Sequence, residues 1–361
     1  MARSIASIVN IRLFAKNPRL CGEQCGLSAY EFQYHPCMTK QAPLSALNID
    51  SARQRIDPVF LNSGLLRWDS LALSLVAKDE TDNPIRSFKG RGTGYFLSGL
   101  ADDNAPLVTA SAGNFGQGLA YNAARHGRPL IVFSSLNASP LKIEAMRRFG
   151  AEVLLAGHDF DAAKAAAKAY AGERRLQFVE DGASAAIAEG AGTIAAELTE
   201  EFDAIDAVFI PLGNGALAAG AGCWFKARSP QTRVIAVAAK GAPCMALSHH
   251  AGQVISTPEA HTIADGIAVR IPVPSAVEWL ADTIDDVVLV DDDKILDAMR
   301  FAHQTWDRIV EPAGAAGLAA VLAQAPALNG LRIATMLCGA NLTDQQIKAW
   351  LPAAASKDRH A

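Results

Sequence analysis

Short apolar runs and stretches of helical period alternate along most of this chain. From Leu107 the strand-like runs are PLVTAS, PLIVFSS, AEVLLA, DAVFIPLG and RVIAVAA, each followed by a segment of helical spacing. Helices are predicted from Asn114 to His126, stopped by Gly127, from Pro140 to Phe149, stopped by Gly150, and from Asp159 to Ala171. Near the end, Asp291 is expected to cap a helix running through Arg308. LRIATML reads as one more buried strand before Thr343 caps the last helix. Helix after strand at this spacing implies βα units, so the fold class is α/β, with parallel sheets covered on both faces. The first fifty residues lack such order, with scattered Pro, Gly and Cys, and read as an extension folded onto the body.

Composition narrows the function. Half of the 361 residues are apolar and 19% are charged, as in a globular enzyme with room for two or three domains. A net charge of −4 without a basic stripe argues against nucleic acid and anionic membrane as partners. No apolar run is long enough for a transmembrane helix. Six cysteines without a secretory segment do not form a disulfide framework. Cys21, Cys25 and Cys37 near His35 raise a zinc site, but the spacing fits no common zinc pattern and reduced thiols are expected. Arg3, Arg12, Lys16 and Arg19, without an acid among them, faintly suggest a transit peptide; lacking amphipathic support, the expected location is cytoplasmic.

In open α/β sheets ligands lie beyond the carboxyl ends of strands, where turns lead into helix N-termini. Three turns fit. In TASAGNFGQGLA, residues 109–120, Ser111 and Asn114 offer side-chain hydrogen bonds and Gly113 lets amides face a carboxylate; a plain helix cap would need only one such residue. In IPLGNGALAAG, residues 210–220, Gly213 and Gly215 clear space for successive N–H groups around an anion. That spacing is neither the dinucleotide GxGxxG nor a Walker loop, so phosphate is expected and NAD or ATP is not. The third turn is MLCGAN, residues 336–341, where Cys338 alone reads as a small buried residue.

Against these stands NPIRSFKGRG, residues 83–92. Lys89 lies between Phe88 and Gly90 with Arg86 and Arg91 nearby, and neighbouring cations with an apolar site would lower its pKa, as a carbonyl-binding amine requires. A carbonyl-binding lysine, a phosphate loop and a carboxylate loop are the parts of a pyridoxal 5'-phosphate (PLP) enzyme acting on an amino acid.

Over roughly residues 55–345 the chain resembles the fold-type-II PLP enzymes of the serine/threonine dehydratase and serine racemase group. NPIRSFKGRG looks like the family's lysine motif, which implies a Schiff base on Lys89 beside Phe88. SAGNFGQG is similar to its substrate loop, which implies that Ser111, Ala112, Gly113 and Asn114 bind the substrate carboxylate, with Asn114 also near the cofactor ring oxygen. GNGAL stands where the family has four glycines, assigning Gly213, Asn214, Gly215, Ala216 and Leu217 to the phosphate. TIADGIAV, EPAGAAGLAA and LCGAN also match, implying Glu311 near the ring and Cys338 beside the pyridine nitrogen.

The resemblance implies two open, mostly parallel sheet domains with PLP between them. The expected division is an extension over 1–54, a large domain of 55–103 and 183–355, and a small substrate-loop domain of 104–182. It also implies a homodimer and β-elimination from a β-hydroxy amino acid such as serine or threonine, giving a 2-oxo acid and ammonia, with Lys89 taking the α-proton. Racemisation, β-replacement and diamino acid ammonia-lyase chemistry are the rival reactions; a non-catalytic PLP-binding protein and an NAD-dependent dehydrogenase are more distant ones.

Several positions depart from the pattern. Asn214 and Ala216 replace two phosphate-loop glycines, and Phe115 stands where many relatives carry His. Ala238 occupies the place of an acidic ligand in metal-dependent members, so no metal is expected. No ACT-like regulatory domain is expected after Ala361.

Overall fold

The structure, a computed structural model, describes residues 33–34, 43–69, 73–101, 103–202 and 204–351. The residues raised above for zinc and for a transit peptide lie outside these. Among the described residues, ten strands build two main sheets: β1 (Gly64–Asp69), β2 (Ser74–Asp79), β3 (Leu107–Ala110), β4 (Leu130–Ser134), β5 (Glu152–Leu155), β6 (Gln177–Val179), β7 (Ala207–Pro211), β8 (Arg233–Ala239), β9 (Asp286–Val290) and β10 (Arg332–Leu337). The six-stranded sheet has the order β9-β8-β7-β10-β2-β1, parallel except for β1 at one edge. The four-stranded sheet has the order β5-β4-β3-β6 and is wholly parallel. A two-residue antiparallel ladder joins Gln33–Tyr34 to Ile255–Ser256.

Each sheet has a topological switch point, where connections leave in opposite directions and open a crevice at the carboxyl ends. In the large sheet it falls between β7 and β10, and in the small one between β3 and β6. Strands β3, β7 and β10 are buried along nearly all of their length, as parallel strands covered by helices on both faces must be.

The predicted helices form with shifted ends. The first spans Asn114–Arg125 and the second Pro140–Arg148. The third runs past Ala171 over Phe160–Arg174, where Arg175 turns left-handed. The Asp292–Trp306 helix stops before Arg308 because Asp307 adopts φ 54°, and Asp291 at its start makes no side-chain cap. Thr343 does cap Asp344–Trp350, in a reciprocal capping box with Gln346.

The helix Lys89–Ser98 is fixed by a buried ionic cluster. Arg91 is fully buried and donates to both carboxylate oxygens of Glu80 and of Glu197. Burial opposes its charge, but the two glutamates outweigh that and hold it above its ordinary pKa. Lys78, equally buried on β2, pairs with Glu197 at 3.1 Å and Glu201 at 2.9 Å, both on the helix Ala185–Glu201. Strand, helix and helix are thereby locked together around Arg91, two residues past Lys89.

Candidate active site

Four turns meet at the two switch points and enclose one cavity of about 570 Å³. Residues 111–114 follow β3, residues 180–182 follow β6, residues 213–217 follow β7, and Cys338 follows β10. Every residue assigned above to cofactor or substrate lines this cavity: Phe88, Lys89, Ser111, Ala112, Gly113, Asn114, Gly213, Asn214, Gly215, Ala216, Leu217, Glu311 and Cys338.

Lys89 opens its helix and extends Nζ to Asp181 Oδ2 at 2.6 Å, with the Phe88 ring centroid 4.6 Å away. This corrects the electrostatic argument made from sequence. Arg91 is committed to Glu80 and Glu197, and Arg86 is exposed, so the charge beside Lys89 is an anion rather than a pair of cations.

On the substrate-loop side, Ser111 Oγ accepts from the N–H groups of Gly113 at 3.2 Å and Gly116 at 2.9 Å. The serine thus caps the helix from two residues before Gly113, the N-cap position. Asn114 accepts from Asn341 Nδ2 at 2.8 Å and donates through Nδ2 to Glu311 Oε1. Glu311 is buried, and burial raises its pKa to about 7 despite the Asn114 hydrogen bond and nearby Lys142. Lys142 lies beside Gly113 and pairs with Asp265.

The turn 213–217 leads into the helix Ala216–Arg228. Gly215 sits at its N-cap with φ 95° and no side-chain cap, so the first-turn amides have no capping oxygen. Asn214 is not left-handed, which removes the conformational objection to a non-glycine there. Cys338 is 5% exposed, its Sγ 3.4 Å from the Met336 carbonyl, and burial raises the thiol well above its ordinary pKa. His261 reaches the rim of the cavity but is exposed and paired with Glu259.

Sequence reasoning missed Asp181, Lys142 and Asp265. The signal for Asp181 was the string QFVEDG, a strand end followed by acids and glycine. Only three residues long and flanked by charge, it did not read as a strand.

Comparison with known proteins decides the family. The family "Pyridoxal-phosphate dependent enzyme" matches residues 59–339. The chain belongs to this family. Its cofactor is therefore PLP, and the residues present fit it: a lysine reaching into the cavity, uncapped helix amides for an anion, and two buried carboxylate oxygens, Asp181 Oδ1 and Glu311 Oε2, without hydrogen-bond partners among the described residues.

Within the PLP family, the chain is 35% identical over 273 residues to the biosynthetic L-threonine dehydratase of Salmonella typhimurium, covering 74% of this chain and 53% of that one. It is 31% identical over 283 residues to a serine racemase of Oryza sativa subsp. indica, covering 76% and 83%. The processed form of threonine deaminase isoform 2 from Solanum lycopersicum superposes with a TM-score of 0.79 at 28% identity, covering 87% and 92%. The chain spans about half the length of the curated threonine dehydratases it matches.

Proposed function

We propose that this PLP enzyme is an ammonia-lyase that eliminates water from a β-hydroxy-α-amino acid such as threonine or serine, giving a 2-oxo acid and ammonia. The observation that carries the reading is convergence: Lys89, residues 111–114 and residues 213–217 line one cavity. Threonine dehydratases among the relatives support the reaction class.

In this reading Lys89 holds the cofactor covalently, residues 213–217 hold its phosphate, and Asn114, Glu311 and Cys338 surround its ring. The cofactor supplies an electron sink that acidifies the α-proton of a bound amino acid. Ser111, Ala112, Gly113 and Asn114 hold the substrate carboxylate through the loop's backbone and side-chain donors, which orients Cα toward Lys89. Once free, the Lys89 amine takes the α-proton. The unsaturated amino acid left by water loss hydrolyses in solution. Cys338 stays a neutral thiol, because burial disfavours the thiolate, and offers only a weak hydrogen bond.

Domains of 55–103 with 183–355 and of 104–182, a homodimer and a cytoplasmic location go with the same proposal. A panel of β-hydroxy amino acids assayed for 2-oxo acid and ammonia tests it. Release from threonine or serine is expected. A purified, PLP-loaded protein that releases neither product from any of them would sink the reading.

A further inference from the structure

The ion pair Lys89–Asp181 raises a question that the family resemblance does not answer. Asp181 is 8% exposed, its Oδ2 is 2.6 Å from Lys89 Nζ, and its Oδ1 has no hydrogen-bond partner among the described residues. A buried carboxylate with a vacant oxygen is costly to keep unless something else engages it. Glu311 also keeps a vacant oxygen, Oε2, but it is Asp181 that pairs with Lys89; the remaining cavity carboxylates are engaged elsewhere. Glu311 accepts from Asn114, Asp265 pairs with Lys142, Asp161 with Arg270, and Glu180 with Lys164 and Lys168.

The fold holds Asp181 firmly. Thr109 Oγ1 donates to the Val179 carbonyl at 2.7 Å, and Ser275 Oγ donates to the Gly182 carbonyl at 3.1 Å. Gly182 has φ 85°, and any side chain there would overlap the Asn214 carbonyl. The aspartate is therefore carried on a turn clamped between β3 and the 213–217 loop.

We propose that Asp181 is a catalytic acid that carries the proton from Lys89 to the departing β-hydroxyl; this rests on the elimination reading above. Lys89 Nζ takes the α-proton, and the C–H electron pair becomes the Cα–Cβ double bond. The Cβ–O bond breaks with its pair on oxygen. The Asp181 carboxylate takes the proton that Lys89 gained and gives it to that oxygen, which leaves as water. Both groups return to their starting states, so no other acid is required. The vacant Oδ1 is the oxygen assigned to the hydroxyl, while Oδ2 faces Lys89.

The test compares leaving groups. The parent, Asp181→Asn and Asp181→Glu, all PLP-loaded, are assayed with L-serine and with 3-chloro-L-alanine, whose chloride departs without a proton. Asp181→Asn should lose about 10²–10⁴-fold in kcat on serine, the usual worth of a general acid, and less than about 5-fold on chloroalanine. Asp181→Glu should recover part of the serine rate. Cofactor content and the borohydride-fixed mass on Lys89 should match the parent in both variants, which excludes a loss of loading. Equal losses on the two substrates, no loss on either, or failure of the variants to fix cofactor overturns the proposal. A parent that turns over neither substrate brings down the elimination reading and this inference with it. A parent active on serine, with Asp181→Asn equally active, removes only the role of Asp181.

Discussion

Asn114 and Glu311, 197 positions apart, share a hydrogen bond that ties the start of the substrate-loop helix to the start of the Pro312–Gln324 helix. The glutamate is buried, its second oxygen has no hydrogen-bond partner among the described residues, and its pKa is raised to about 7 from an ordinary 4.5, burial being the largest cause. A raised carboxylate contributes stability that is complete below the unfolded value and is lost as pH climbs through the folded one. Cofactor-free protein should therefore lose about 3 kcal/mol between about pH 4.5 and 7 from this group. Chemical denaturation across that range measures it. Glu311→Gln should flatten the decline, and an unchanged slope would refute the assignment.

Lys89→Ala should lower turnover by at least about 10⁴-fold and abolish the borohydride-fixed adduct. It also leaves Asp181 buried without its cation. The cofactor-free variant should lose about 3 kcal/mol of stability, and a second change, Asp181→Ala, should restore most of that. Denaturant midpoints for the two variants check the pairing independently of activity.

Cys338→Ser should keep activity within about 10-fold, since either side chain offers only a neutral, modest hydrogen bond. Cys338→Asp places a carboxylate at a buried position near Glu80 and Glu311. It should slow elimination and cost on the order of 3 kcal/mol. Steady-state kinetics with melting curves separate the two effects, and a Cys338→Asp enzyme as fast and as stable as the parent would displace Cys338 from the ring.

In the proposed reading Ala112 lies across the substrate from Lys89, where its methyl cannot return a proton, so elimination should outrun racemisation. Chiral analysis during turnover should find one enantiomer consumed with little of its mirror image formed. Ala112→Ser should raise racemisation by about 10-fold or more if a hydroxyl there acts as the second acid. Comparable racemisation and ammonia release in the parent would mean that another group supplies the proton.

Much of this arrangement was legible before any coordinates. The strands ending at Ala110, Pro211 and Leu337 are apolar runs followed by turn residues, so their carboxyl-end loops could be found by pattern. β2 was not, because SLVAKDE carries charges that look solvated. Lys78 and Glu80 are buried in fact, and Arg91, Glu197 and Glu201, with Ser63, make that tolerable. The pairing of Lys89 with Asp181 spans 92 positions and depends on β6 lying beside β3, a relation that local periodicity does not carry. The cations expected to tune Lys89 failed for the same reason: adjacency along the chain said nothing of which way Arg91 points.

The buried cluster around Arg91 also has a bearing on the order of events as the protein assembles. Its guanidinium finds Glu80 eleven residues upstream and Glu197 more than a hundred residues downstream. Until the helix Ala185–Glu201 docks, the segment bearing Lys89 carries a cation that must stay in water, and the lysine has no settled seat. Acquisition of the chromophore should then be a late event in refolding, trailing the return of helical structure, because long-range contacts form slowly.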